Sequence, residues 1–304
     1  MLSQIIYRDI TMTASITLEE LLEQDSELFS LPEIYIRVSE LMENENSSSV
    51  QIGKVVETDP ALSSRILKMV NSAFYGIPKT IASISQAVTI LGRDRLRQIL
   101  IGTVLSGVFG KAHSPVLVME DFWYHSVKTA ILARYLGYDS EISNEAESLF
   151  TAGLLHEIGR LIMAQKIPEQ SSEIQKAIDQ EGEEIMTAES RILGFTHCDV
   201  GGAFIEKWGL PSLLVDVAKY HHSPQLSESY TAETDLIYLA NNLVSLVSPI
   251  ELQDVNYALK NIHGWERTEL SASQIYQAVV AADAQVYEVM EILGMVQMKI
   301  DLDD

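Results

Sequence analysis

A chain of 304 residues, 47% of them hydrophobic, is long enough for one large domain or two modest ones with an ample core. Its formal net charge of −22, from 43 acidic and 21 basic residues, repels nucleic-acid phosphates and anionic membranes, so neither is expected as a partner. The only cysteine is Cys198, which excludes an intramolecular disulfide. The first residues show no basic stretch followed by a long apolar run, so no signal peptide is expected; the most apolar stretch, 99–110, is shorter than the roughly 20 residues a bilayer takes, and a cytoplasmic location is expected.

Residues 1–16 read as an N-terminal extension. Thr17-x-x-Glu20 then has the form of a capping box, and Asp59-Pro60 sets an N-cap before a proline at the first helical position. Ser83-x-x-Gln86 opens a segment in which Ile84, Ala87, Val88 and Leu91 recur at helical spacing. Several short helices are expected over 17–112, followed by a loop with His113, Ser114 and Pro115. A second helical part is expected over 117–224, where Asn144-x-x-Glu147 reads as another box and Gly209 and Pro211 stop one helix and start the next. Beyond Ser223-Pro224 a C-terminal helical region, 225–304, should hold helices near 232–247 and 271–296, the second opened by Ser271-x-x-Gln274. Residues 300–304 form an acidic tail expected to fray. Convincing alternating strands are absent, so the expected fold class is all-α.

Phosphate-cradling glycine loops and a Gly-x-Ser-x-Gly elbow are both missing. Cys198 follows His197 directly, and neighbours on a helix point about 100° apart, which argues against a Cys-His dyad. Five of the seven histidines fall between positions 125 and 222. His125 lies on the stripe Phe122, His125, Thr129, Leu132, Leu136, and His156 on the stripe Leu149, Ala152, His156. His197 opens one helix; His221 and His222 close another. Imidazoles pointing from several helices into one bundle can cage a metal, although each alone is as readily a hydrogen-bonded core residue.

Leu154-Leu-His-Glu-Ile-Gly-Arg160 resembles the LLHDIGK signature of HD-domain phosphohydrolases, with His125 preceding it as that family's first ligand does. His197-Cys-Asp-Val-Gly201 and His221-His222 resemble the extra histidines of the HD-GYP branch. The chain resembles the HDOD family more closely still. The carrying segments are Leu31-Pro-Glu-Ile34, Asp59-Pro-Ala-Leu-Ser-Ser-Arg-Ile-Leu67, Val70-Asn-Ser-Ala-Phe-Tyr-Gly76, Ile84-Ser-Gln-Ala-Val88, Leu91-Gly92, Trp123-Tyr-His-Ser126 and Lys207-Trp-Gly-Leu-Pro211. The resemblance implies an HDOD domain over 17–224 and an HD-like bundle. His125, His156, Glu157 and Asn241 are expected to converge there on a metal pocket, with His197, His221 and His222 on its rim.

Departures from the pattern bear on activity. Glu157 stands where HD enzymes have aspartate, and its extra methylene moves the carboxylate. Asn241 stands at the last ligand's aspartate, and Asp235, about 240° away around the helix, does not obviously replace it. Ser223 replaces a glutamate of the HD-GYP pattern, and the GYP tripeptide is absent. Each lost carboxylate removes a negative charge from the cage. The resemblance and these losses together imply a bacterial signalling output or regulatory module with a degenerate pocket, acting on a protein partner. A divalent metal (Fe, Mn, Ni or Zn) would be weakly held, or absent. The alternative is a metal-dependent phosphohydrolase acting on nucleotides or cyclic dinucleotides, in which Arg160 contacts an anion.

Overall fold

The computed structural model describes residues 16–23, 32–110 and 112–296, so most of the N-terminal extension, Leu31 and the acidic tail lie outside the described residues. Within them the chain runs from helix to helix without a strand, as the all-α reading expects. The order is α1 (Leu18–Glu23), α2 (Glu33–Glu43), α3 (Ser49–Val56), α4 (Pro60–Val70), α5 (Ile84–Leu91), α6 (Arg93–Phe109), α7 (Met119–Tyr138), α8 (Ala146–Leu155) and α9 (Ile158–Lys166). It continues with α10 (Pro168–Glu181), α11 (Ile185–Leu193), α12 (His197–Lys207), α13 (Ser212–Tyr220), α14 (Thr231–Leu243), α15 (Leu252–Leu259) and α16 (Ala272–Leu293).

Local chemistry sets many of these starts. Thr17 and Glu20 make the expected reciprocal cap, as do Ser271 and Gln274 at α16. Asp59 accepts from the backbone of Ala61 and Leu62 at the start of α4. Ser83 accepts from Gln86, whose own side chain accepts from Ala82 instead. Asn144 is no cap: it lies in a short 3-10 turn ahead of α8, and Glu147 turns into the interior. There it accepts from Arg134, which lies over the rings of Phe74, Tyr75 and Tyr138, and from the hydroxyls of Tyr75 and Tyr138. A buried guanidinium and carboxylate that satisfy one another outweigh a solvent-exposed cap.

Helix α6 is buried on nearly every face, the mark of a helix between layers. On one side it meets α2, α4 and α5, and on the other α8 and α16. The segment after α4 is closed by Asn71, which bonds both the N–H and the C=O of Ile81. The second layer is built on α7 and α8, with α14 and α16 laid along α7. Lys128 of α7, fully buried, reaches Asp283 of α16 at 2.5 Å and also donates to Tyr124 and Leu246.

Two close backbone approaches fix where the histidines stand. At Gly153 a Cβ would lie 2.6 Å from Ala130 Cα, so α8 seats directly on α7, bringing the end of α8 towards the first turns of α7. At Gly159 a Cβ would lie 1.9 Å from the carbonyl oxygen of His197, which sets α9 against the start of α12.

Candidate metal centre

Six helices or their ends contribute donors to one interior region: His125 from α7, His156 at the end of α8, Glu157 ahead of α9, His197 opening α12, His221 and His222 closing α13, and Asn241 from α14. His156, His197 and His221 are fully buried. The expected rim position of His197 and His221 is therefore not what is found. They sit as deep as His156, because Gly159 allows the α9–α12 approach and α12 pairs with α13 over its length. His222 alone of that trio keeps partial exposure.

The ring orientations follow from what each Nδ1 meets. A carbonyl can only accept, so Nδ1 of His156, 2.7 Å from Gly153 O, carries the proton; the same holds for Nδ1 of His221, 3.0 Å from Ala218 O. Nδ1 of His197 lies 2.7 Å from the buried Glu189 carboxylate, which also accepts from the His197 backbone N–H. Three imidazoles are thus locked with Nε2 facing inward, the arrangement by which backbone and carboxylate partners orient metal-binding histidines. Nε2 of His156 is 3.2 Å from Nε2 of His125 and 3.4 Å from Asn241 Oδ1; Nε2 of His197 is 3.4 Å from Nε2 of His221.

Glu157 stands between the two groups. Its Oε2 is 3.8 Å from His197 Nε2, and its Oε1 is 3.9 Å from Nε2 of both His221 and His222. Oε2 is buried and accepts no hydrogen bond. A buried carboxylate oxygen without a hydrogen-bond donor is costly unless a cation offsets its charge, and Arg160 Nε, 3.6 Å from this oxygen, does so without completing a hydrogen bond. Burial pushes His156 down to about 3, and also lowers His125, His221 and His222. Burial opposes the charge on Glu157 and on His197 too. It is outweighed at Glu157 by Arg160 and the facing imidazoles, which hold that carboxyl well below its usual range. At His197 the carboxylate of Glu157 is foremost in raising the imidazole well above its own. Mostly neutral imidazoles around an ionised carboxylate are the ligand form for a cation. The donors fall into two sets, His125, His156 and Glu157 in one and His197, Cys198, His221 and His222 in the other, each with its ligand atoms within 4.8 Å of one another.

Asp235 takes no part, since both its oxygens bond Arg267. Arg160, its Nε 3.6 Å from Glu157 Oε2, lines a cleft of about 390 Å³ together with Val116, Leu117, Asp121, His125 and Asp179. The Cys198 thiol does touch His197, at 3.6 Å from Nε2, but burial raises its pKa, so the pair is no activated nucleophile. Glu189 carries little signal in the sequence; its sole hint is an acidic residue beside Ala188 on the buried face of α11.

The family model for the HDOD domain matches residues 28–224. The chain belongs to the HDOD domain family. Among solved structures, its fold is similar to a candidate phosphohydrolase of Shewanella amazonensis SB2B, with 22% identity, a TM-score of 0.76, and coverage of 92% of this chain and 99% of that one. An HDOD domain protein of unknown function from Geobacter sulfurreducens has 22% identity and a TM-score of 0.67, covering 88% and 93%. A candidate signal-transduction protein of Marinobacter aquaeolei VT8 has 22% identity and a TM-score of 0.66, covering 92% of this chain and 61% of that one. These likenesses carry the fold. An uncharacterised protein of Treponema pallidum (strain Nichols) is 23% identical over 214 residues, which span 69% of this chain and 41% of that protein. The chain thus matches about two fifths of the length of this curated relative. Among the described residues no helix is long and apolar enough to cross a membrane.

Proposed function

We propose that this HDOD protein is a signalling module that holds a divalent cation in its histidine cage and acts on a protein partner, without hydrolytic turnover. The observation that carries the reading is the imbalance of the cage. Inward-facing Nε2 atoms converge there, yet Glu157 is the one carboxylate among them, because Asn241 is neutral and Asp235 is engaged elsewhere. His125, His156, Glu157 and Asn241 would hold a cation on one side, and His197, His221 and His222 on the other. A bound dication would supply charge to acidify a water or clamp a phosphoryl group. The protein's own residues work against that use. Asp121 and Asp179 at the cleft repel an incoming phosphate, and the single guanidinium there, Arg160, is drawn towards Glu157.

The partner contact would use the helices flanking the cage. Ile36 of α2, Val50 of α3 and Ile90 of α5 are exposed at the N-terminal end, and Leu252, Tyr257 and Tyr287 in the C-terminal region. The likeness to a candidate signal-transduction protein fits this reading, and the likeness to a candidate phosphohydrolase fits the alternative. The test is an assay of aryl phosphates, nucleotides and cyclic dinucleotides with added manganese, iron or nickel. No turnover is expected. A rate of about 1 s⁻¹, the low end for ordinary enzymes, that vanishes in His156→Ala would establish the phosphohydrolase instead.

A further inference from the structure

We propose that the Cys198 thiolate is itself a metal ligand, giving the deeper half of the cage a soft donor and a preference for zinc. The inference rests on the cage being a cation site and adds a ligand to it. Sγ of Cys198 lies 3.6 Å from His197 Nε2, and that nitrogen lies 3.4 Å from His221 Nε2; the His221 nitrogen 3.9 Å from the sulfur is Nδ1, whose proton goes to Ala218. Around a tetrahedral zinc, bonds of about 2.0–2.1 Å to nitrogen and about 2.3 Å to sulfur put two nitrogens about 3.4 Å apart and a nitrogen and a sulfur about 3.6 Å apart. The His197–His221 and His197–Cys198 spacings match those edges.

A buried cysteine is ordinarily a small apolar filler. Two features set this one apart. Its sulfur borders two imidazoles and the Met186 thioether, at 3.8 Å. Independently, the buried Oε2 of Glu157 accepts no hydrogen bond, with Arg160 Nε at 3.6 Å on one side and the same His197 nitrogen at 3.8 Å on the other. Glu189 holds His197 with its Nε2 towards that point, and Ala218 does the same for His221. Glu157 or His222 is then within reach to complete the set. Binding replaces the S–H bond by a sulfur–metal bond, the proton leaves to solvent, and no electron is transferred. Thiolate donors favour zinc over manganese, whereas nitrogen and carboxylate donors alone discriminate less.

The test uses the full chain, purified without a tag, stripped and reloaded with cobalt(II). The parent should show a thiolate-to-cobalt charge-transfer band in the near ultraviolet that Cys198→Ser lacks, while visible ligand-field bands persist in both. Zinc affinity should fall by roughly tenfold or more in the variant with manganese affinity little changed. Cobalt bound without the band would overturn the ligand role of Cys198 and leave the cage standing, whereas no cobalt bound at all would overturn both. Zinc-edge X-ray absorption on the parent covers the case in which the variant fails to fold. A sulfur neighbour at about 2.3 Å supports the proposal, and a shell of nitrogen and oxygen alone overturns it.

Discussion

His125 and His156 face each other Nε2 to Nε2 at 3.2 Å, with their rings stacked 5.2 Å apart at 28°. Since His156 commits its one proton to Gly153, the neutral pair can make this contact only if His125 donates from Nε2. A cation between them requires the opposite His125 tautomer, with the proton on Nδ1. Nitrogen-15 spectra of the stripped protein should therefore report His125 protonated at Nε2, and zinc should move that proton to Nδ1. An Nδ1 proton on His125 before and after zinc would mean that the pair does not share a cation.

The lowered histidines give a pH dependence with a definite sign. His125, His156, His221 and His222 bind protons less readily when folded than when unfolded. The unfolded chain gains protons as pH falls below 6.5 and the folded chain does not follow until lower pH, so stability falls with pH. His156, depressed to about 3, should by itself cost about 2 kcal/mol at pH 5. His197, raised, contributes stability that is fully present below 6.5 and is lost as pH rises through its folded value, so it does not reverse the acid-side trend. The loss from Glu157, lowered, begins only below 4.5. Thermal melts in chelator should show a lower midpoint at pH 5 than at pH 7; an unchanged midpoint would contradict the buried neutral histidines.

Gly159→Ala should be among the most damaging single changes in the chain. The added Cβ meets the His197 carbonyl oxygen at 1.9 Å and the Gly201 nitrogen at 2.8 Å, both backbone atoms that cannot swing aside. A loss of roughly 3 kcal/mol or more is expected, together with weaker metal binding as α12 is pushed off α9. Denaturant melts beside a manganese titration check it. A stable variant with parental affinity would mean that the close approach is not what positions His197.

Asn241→Asp should tighten manganese binding by about tenfold or more, because it adds a full charge 3.4 Å from His156 Nε2 in a buried site. Adding Glu157→Asp should reverse part of that gain. The glutamate's length is what carries its oxygens to within 3.8–3.9 Å of His197, His221 and His222, so the shorter carboxylate that an HD sequence pattern suggests would withdraw from them. Calorimetric titration separates the two; equal affinity in Asn241→Asp and parent would remove residue 241 from the site.

Features made by near neighbours are legible in the sequence. Helix starts at Thr17, Asp59 and Ser271 can be read because a cap is made within three residues, whereas the His125–His156 pairing is what the resemblance to HD-domain sequences implies and the apolar stripes alone do not settle it. Features that depend on distant partners are not legible. Glu147 sits at the third position of an apparent capping box, yet Arg134 on α7 and Tyr75 before α5 draw it inward. His197 and His221 read as rim residues because nothing local reveals that Gly159 admits α12 at backbone contact. Glu189 is barely legible for the same reason, since its partner lies on the next helix. The rule that separates neighbours by 100° holds for Cα directions, but an imidazole reaches far enough for His197 Nε2 to come within 3.6 Å of the adjacent sulfur.

Elemental analysis of protein purified without an affinity tag tests the central claim most directly. A near-stoichiometric divalent metal that survives dialysis in the parent and is lost in His156→Ala is the result expected of a cation cage. Metal-free parent protein that takes up no manganese, iron, nickel or zinc on addition, and that melts identically with and without them, would contradict it and reduce the histidines to a hydrogen-bonded core.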